Sequence, residues 1–141
     1  MLANPVVVPL YADPMAWTLA FFAMGVEVAI VQRLLARTVN EASGLLGVLF
    51  AINLTTWFVF LIAVHLADGL GLNLPASITV LELLVVAAEM ALLHSAMCGR
   101  LFSRNLGLRA ITWRRALGVS IAGNLASIAA SILVPLAVVW S

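Results

Sequence analysis

The sequence has no lysine, one cysteine and few charged residues of either sign. All seven basic residues are arginines, and charged residues make up only 9% of the 141 positions. A soluble domain is usually about a quarter charged, so this composition excludes an ordinary soluble fold. The single cysteine, Cys98, excludes an intrachain disulfide and dithiol redox chemistry within one chain.

Apolar residues are abundant: they form 65% of the chain, with a mean hydropathy of +1.18. Four apolar runs cover residues 14–36, 44–66, 75–98 and 116–140. Each run exceeds the ~20 residues that a helix needs to cross ~30 Å of hydrocarbon. The sequence therefore predicts an all-α membrane protein, a single-domain bundle of four antiparallel transmembrane helices.

Turn-forming residues lie between the predicted spans. Residues 41–44 are predicted to break the chain between spans one and two, and Asp68-Gly69 between spans two and three. Asn73 followed by Pro75 is typical of a helix start, because asparagine caps the free N–H groups and proline fits the first turn.

The arginines predict the orientation in the membrane. Arg33 and Arg37 flank the first connection, and the other five lie between positions 100 and 115. Positive residues favour the cytoplasmic side, so we expect both termini to face outward, in the inner membrane of a prokaryote. Four arginines of the third connection are expected either to contact anionic lipid headgroups or to form an ordinary basic loop: Arg104, Arg109, Arg114 and Arg115.

The two halves of the chain, 14–66 and 75–140, are predicted to be copies of one helical hairpin. Each half has a glutamate in its first span, then an asparagine in its second, followed three residues later by a hydroxyl side chain. These are Glu27, Asn53 and Thr56 in the first half, and Glu89, Asn124 and Ser127 in the second. Rare polar residues in the same order favour duplication, with a pseudo-twofold axis along the membrane normal.

These polar residues are predicted to lie at one depth. The glutamates precede Arg37 and Arg100 by ten and eleven residues, and the asparagines Asn53 and Asn124 lie nine residues after Gly44 and Arg115. At ~1.5 Å per residue, all four are expected roughly 15 Å from the inner boundary, near the bilayer midplane. Glu82 lies two helical turns before Glu89 and extends the polar face outward.

A polar layer at this depth has two interpretations. An ionised carboxylate at the bilayer centre costs at least ~2.5–3.5 kcal/mol, so we expect Glu27 and Glu89 to be protonated, to share a proton or to hold a cation. This favours a proton-coupled transporter or channel for a small cation or cationic solute, with the asparagines completing the site. The alternative is a packing role in a non-catalytic accessory subunit or assembly factor. In either case we expect a homo-oligomer or a larger membrane complex.

A second cluster lies on the inner half of span three. Met90, His94, Met97 and Cys98 share one helix face, and thioether, imidazole and thiol groups suit a soft metal such as copper(I). Packing is the favoured interpretation, because methionine and cysteine usually fill apolar interiors. The sequence has no serine elbow, phosphate loop or nucleotide motif. We therefore expect neither an enzyme, nor a cofactor, nor a nucleic-acid partner.

The order of these features resembles a group of small prokaryotic four-helix membrane proteins. The resemblance is carried by the glutamates of spans one and three, the Asn-Leu-x-[Ser/Thr] of spans two and four, and the Arg-Arg-Ala-Leu at 114–117. It covers residues 17 to about 131. It implies the four-helix fold, and it brings no established activity with it.

Overall fold

A computed structural model of the protein describes residues 14–99 and 108–139, with side chains described for 17–99 and 108–133. It contains four helices: α1 (Pro14–Leu35), α2 (Val39–Gly69), α3 (Leu74–Cys98) and α4 (Trp113–Val139). All four are long and apolar enough to cross a membrane, and the described part of the chain contains no β-strand. The predicted all-α four-helix bundle is confirmed.

The helices pack in a closed ring. Each helix contacts the next along the chain, and α4 returns to pack on α1, which leaves α1 opposite α3 and α2 opposite α4. The main apolar core lies toward the end of the bundle that carries the α1–α2 and α3–α4 connections, with Leu45, Leu93 and Ala116 among its most buried members. The outer surface carries large apolar side chains such as Phe58 and Ile62. Lipid is the solvent that accommodates such a surface.

The first connection differs from the sequence prediction. Residues 41–44 do not break the chain, because α2 already begins at Val39. Thr38 caps the helix: its Oγ1 accepts from the Glu41 backbone N–H at 3.2 Å, and Glu41 Oε2 accepts from the Arg37 N–H at 2.8 Å. This is close to a capping box, which satisfies N–H groups at a helix start. The glutamate and the residues after it therefore continue the helix.

The other helix ends fall near their predicted positions. Asn73 caps α3, since its side-chain oxygen accepts from the Ala76 N–H at 3.1 Å and Pro75 occupies the first turn. α2 runs on to Gly69 and is followed by a turn in which Gly71 has φ +67°. That left-handed conformation is one that glycine adopts without steric cost. α4 begins at Trp113, three residues before the prediction.

Two described arginines of the third connection, Arg109 and Arg115, contact the bundle itself. Arg109 Nε forms an ion pair with Glu41 Oε1 at 2.9 Å. Arg115 Nη2 donates to the Leu34 carbonyl oxygen at 3.1 Å, in the last turn of α1, where carbonyl groups lack helical partners. Arg114 is exposed, and Arg104 lies outside the described residues. Contact of these arginines with lipid headgroups stays a prediction.

Candidate functional site

Two carboxyl groups meet at the centre of the bundle. Glu27 on α1 and Glu89 on α3 are buried, with 6% and 5% of their surface exposed, and their side chains lie within hydrogen-bonding reach of each other. Asn124 on α4 joins them: its Nδ2 lies 2.6 Å from Glu89 Oε2 and 3.4 Å from Glu27 Oε1. The structure thus brings together three of the four residues predicted to form the polar layer.

Each carboxyl group also has a hydroxyl partner. Thr56 Oγ1 on α2 lies 3.0 Å from Glu89 Oε1, and Ser127 on α4 is hydrogen-bonded to the side chain of Glu27. Thr56 and Ser127 occupy equivalent positions in the two predicted hairpins. In both cases the hydroxyl group of one predicted hairpin faces the glutamate of the other hairpin.

The hydroxyl groups can serve either charge state of the carboxyls. Besides Glu89, Thr56 Oγ1 faces the backbone oxygen atoms of Ile52 at 3.0 Å and of Asn53 at 3.1 Å. Ser127 Oγ likewise faces the Asn124 backbone oxygen at 3.0 Å. A hydroxyl has one donor and two acceptor lone pairs. It can donate to an ionised carboxylate, or it can accept from a protonated carboxyl and turn its own hydrogen to the backbone.

The electrostatics of the pair favour one proton held between the two groups. Two like unit charges about 4 Å apart repel by about 4 kcal/mol even at an effective dielectric constant of about 20. Carboxyl groups this close therefore titrate as a unit, and the first proton relieves the repulsion. The pair formed by Glu27 and Glu89 therefore holds at least one proton inside the bundle.

Asn53 does not match its counterpart Asn124. It is buried and lines the same cavity, but its Nδ2 donates to the Leu49 carbonyl oxygen at 3.2 Å and to neither carboxyl group. Asn124 makes the equivalent bond to the Ser120 carbonyl oxygen at 3.0 Å and reaches both glutamates as well. The expectation that both asparagines contact the carboxyl groups therefore holds for Asn124 alone.

The sequence reasoning missed Gly123, which brings α4 close to α1. A Cβ atom at this position would lie 2.7 Å from Val31 Cγ2 and 2.9 Å from Glu27 Cγ. The absence of a side chain lets the two helices approach at the level of the carboxyl pair, a packing mode common in membranes. The available signal was a glycine directly beside Asn124.

A cavity of about 520 Å³ adjoins the carboxyl pair. All four helices contribute to its wall, which is mostly apolar around a polar patch. Glu82 lines it and is half-buried, on the same side of α3 as Glu89, as the spacing predicts. The polar part of the wall is formed by nine residues: Glu27, Asn53, Thr56, Thr79, Glu82, Glu89, Asn124, Ser127 and Ser131.

Trp57 forms another part of the wall. Its ring packs against two aromatic rings of α1, with centroids 5.2 Å from Trp17 and 5.9 Å from Phe21. Its indole Nε1 is buried and has no hydrogen-bond partner among the described residues. A buried donor without a partner costs about 1–3 kcal/mol.

The proposed soft-metal ligands make other contacts. Met97 is buried in the apolar core, and Met90 packs beside it and lines the cavity. The His94 ring stacks on Trp113 with centroids 3.8 Å apart, and Cys98 Sγ lies 3.6 Å from His94 Nε2 and 3.4 Å from the Ile111 carbonyl oxygen. Within residues 14–99 and 108–139, no three His, Cys, Asp or Glu residues are grouped to hold a metal. Packing accounts for these contacts.

The two asparagines give a matched test of the network. Asn124→Leu is expected to lower the unfolding free energy by about 1.5 kcal/mol, near the upper end of ~1.7 measured for side-chain hydrogen bonds in membranes. The reason is that both carboxyl groups lose their shared donor. Asn53→Leu is expected to cost about 0.6 kcal/mol or less, the membrane average. Unfolding in mixed detergent micelles measures both, and equal losses would contradict the assignment of the bridge to Asn124.

Comparison of the chain with protein-family models finds no match, and comparisons with curated proteins and with solved structures find no significant match either. The resemblance to small prokaryotic four-helix proteins stays a prediction, and the geometry of the polar layer is the basis for the function.

Proposed function

We propose that this integral membrane protein is a transporter or channel that couples protons to a small cation or cationic solute. Glu27 and Glu89 are the shared acceptor of the proton and of the cation. The observation that carries the proposal is the meeting of these two buried carboxyl groups, from opposite helices, at the wall of a cavity of about 520 Å³. Ionisable residues inside a membrane bundle mark ion and proton pathways by default.

The hydrogen bonds around the pair support a change of charge state. When a cation takes the place of the shared proton, Thr56, Ser127 and Asn124 all donate to the carboxylate oxygens. When the proton returns, the hydroxyl groups turn to the backbone oxygens that they already face. Neither state leaves a buried donor or acceptor without a partner, and this lowers the cost of the exchange.

The bundle is narrow for a carrier, so we propose that the protein works as a homodimer or within a larger assembly. We place it in a prokaryotic inner membrane with both termini outside, as the arginines predict. In this orientation the carboxyl pair lies near mid-membrane, where a site can be reached from each side in turn.

Proteoliposomes with an internal pH indicator test the proposal. The purified protein is exposed to outward gradients of K⁺, tetramethylammonium, butyltrimethylammonium and hexyltrimethylammonium, and the internal pH is followed. These cations carry a permanent charge, so neutral amine leakage does not contribute. We expect at least one cation to drive protons inward at a rate above that of empty liposomes. If none does so with folded protein, the transport proposal is wrong.

The rival function is that of a non-catalytic accessory subunit or assembly factor. One observation favours it: the side chains of Glu89, Thr56, Asn124, Glu27 and Ser127 are all hydrogen-bonded within the bundle. Such a network can serve only to fix which helices pack together. The rival predicts no cation-driven proton movement, and it predicts co-purification with a larger membrane complex.

A further inference from the structure

Among the described residues, the wall of the cavity is exposed on one side of the bundle. Its wall on α1 and α2 consists of residues that are buried or half-buried, from Ala20 to Glu27 and from Asn53 to Phe60. On the other two helices, six wall residues are exposed, at intervals of four along each helix. We call these six residues the portal: Thr79, Leu83 and Ala87 on α3, and Leu117, Ile121 and Leu125 on α4.

The portal faces the surroundings of the bundle halfway along two spanning helices. Five of its six side chains are apolar, so it offers no polar path to a hydrated ion. Moving a bare ion into an apolar medium costs tens of kcal/mol by Born solvation. A cation with an apolar body that already partitions into the bilayer pays less of this cost, because its charge is spread over a larger group and its apolar surface is favourable there. The side opening therefore suits a ligand that arrives from lipid.

The size and lining of the cavity also favour an organic molecule over a bare ion. Sites for small organic ligands usually enclose ~300–1,000 Å³, with a mostly apolar wall and a few polar groups that fix orientation. The volume of about 520 Å³ falls in this range. Calcium takes 6–8 oxygen ligands and magnesium demands near-octahedral geometry. A wall that is mostly apolar does not enclose an ion in this way.

The polar patch fixes the charge of the ligand. Exchange of one proton held by Glu27 and Glu89 for one positive charge leaves the net charge of the site unchanged, so a monovalent cation is the matching ligand.

We infer that the cavity binds a monovalent organic cation with an apolar body, which enters from the bilayer through the portal between α3 and α4. This inference rests on the proposed function and names its substrate class. The positive group lies against the carboxyl pair of Glu27 and Glu89, and the apolar body lies along the wall that ends at Leu83 and Ile121. A chain of methylene groups gains from burial there, whereas K⁺ gains nothing.

A series of cations in proteoliposomes tests the substrate class. Each buried methylene contributes enough to raise affinity about fourfold. Butyltrimethylammonium is therefore expected to reach half-maximal proton movement at a concentration at least tenfold lower than tetramethylammonium, and hexyltrimethylammonium lower still. K⁺ is expected to be inactive. Any pH signal caused by partition of the cations into lipid is measured with liposomes that contain the Glu27→Gln, Glu89→Gln protein, and this signal is subtracted.

Two variants with matched controls test the route. Ala87→Trp and Leu125→Trp each place a large ring in the portal, and we expect either one to slow uptake of hexyltrimethylammonium at least tenfold. Ala88→Trp and Leu133→Trp change exposed positions of the same helices that do not line the cavity, and they are expected to match the wild type. The thermal midpoint in detergent shows that each variant is folded. Wild-type rates in both portal variants would overturn the route.

The outcomes separate this inference from the proposed function. If K⁺ or tetramethylammonium drives protons as well as hexyltrimethylammonium does, the substrate class is wrong and the proton–cation coupling stands. If no cation in the series drives protons, the coupling itself is wrong, and the inference fails with it.

Discussion

Replacing both Glu27 and Glu89 with glutamine is expected to reduce cation-driven proton movement to the level of empty liposomes. Glutamine has nearly the size of glutamic acid, and its Oε1 can still accept from Thr56 or Asn124. It carries no negative charge and no exchangeable acidic proton at any working pH. The double variant therefore keeps the packing of the centre and removes both the charge that attracts a cation and the proton that leaves in exchange.

The single variants Glu27→Gln and Glu89→Gln are expected to show proton movement between that of the wild type and that of the double variant. In Glu27→Gln the remaining carboxyl of Glu89 still accepts from Thr56 and Asn124, so a proton can still exchange for a cation there. One hydrogen bond to a charged group contributes ~1.5–3 kcal/mol, and a tenfold change corresponds to ~1.4 kcal/mol. Each single replacement should therefore raise the cation concentration that gives half-maximal proton movement by about tenfold or more. The initial rate of internal pH change, measured against cation concentration, gives these values.

Asp68→Asn is the control for the same chemical change at another site. Asp68 is exposed near the end of α2, away from the cavity wall, so its amide variant should transport like the wild type. The decisive contrary result is full cation-driven proton movement in the double glutamine variant with an unchanged thermal midpoint. In that case the carboxyl pair serves packing, and the accessory-subunit function is the better explanation.

The number of spans and the centre of the site could be predicted from the sequence, because both depend on short-range patterns. Runs of more than twenty apolar residues specify helices in lipid. Counting residues from the arginines was enough to place Glu27, Glu89 and Asn124 at one depth, since the rise of a helix is constant. Rare polar residues in an apolar membrane helix also almost always face the bundle interior.

Features that depend on the distance between helices were beyond the sequence pattern. Asn53 and Asn124 are both followed by leucine and then, three residues on, by a hydroxyl side chain, yet only Asn124 reaches the carboxyl pair. Gly123 brings α4 close to α1, whereas Ile52 stands beside Asn53. The portal depends likewise on how α3 and α4 pack against each other, and the residue pattern within either helix does not predict this packing.

The first connection was misplaced for a different reason. The Ser43-Gly44 pair looked like a break, but the capping contacts of Thr38 and Glu41 start α2 before it. Arg109, nearly seventy positions further along, then pairs with the same Glu41. The helix cap at Thr38 therefore outweighed the local tendency to form a turn. The ion pair with Arg109, which is distant in sequence, also holds the capping residue Glu41.

Gly123→Leu is expected to lower the unfolding free energy by more than ~3 kcal/mol, the usual upper end for overpacking a tight interior. The first added carbon alone would lie 2.7 Å from Val31 Cγ2 and 2.9 Å from Glu27 Cγ, well inside van der Waals contact. Leucine adds three further carbons in the same direction. Since α1 and α4 cannot keep their spacing, the helices must separate at the level of the carboxyl pair.

Separation at this point also disturbs the site. The contact between Asn124 Nδ2 and Glu27 Oε1 is already long at 3.4 Å, and hydrogen bonds weaken steeply beyond about 3.2 Å. Gly118→Leu is the matched control, because Gly118 lies on the same helix with nothing within 4 Å of an added Cβ. It should unfold and transport like the wild type. Detergent unfolding and proton-movement assays on both proteins measure the difference. Equal behaviour of the two variants would mean that α1 and α4 do not meet at Gly123, and that the carboxyl pair is held by other contacts.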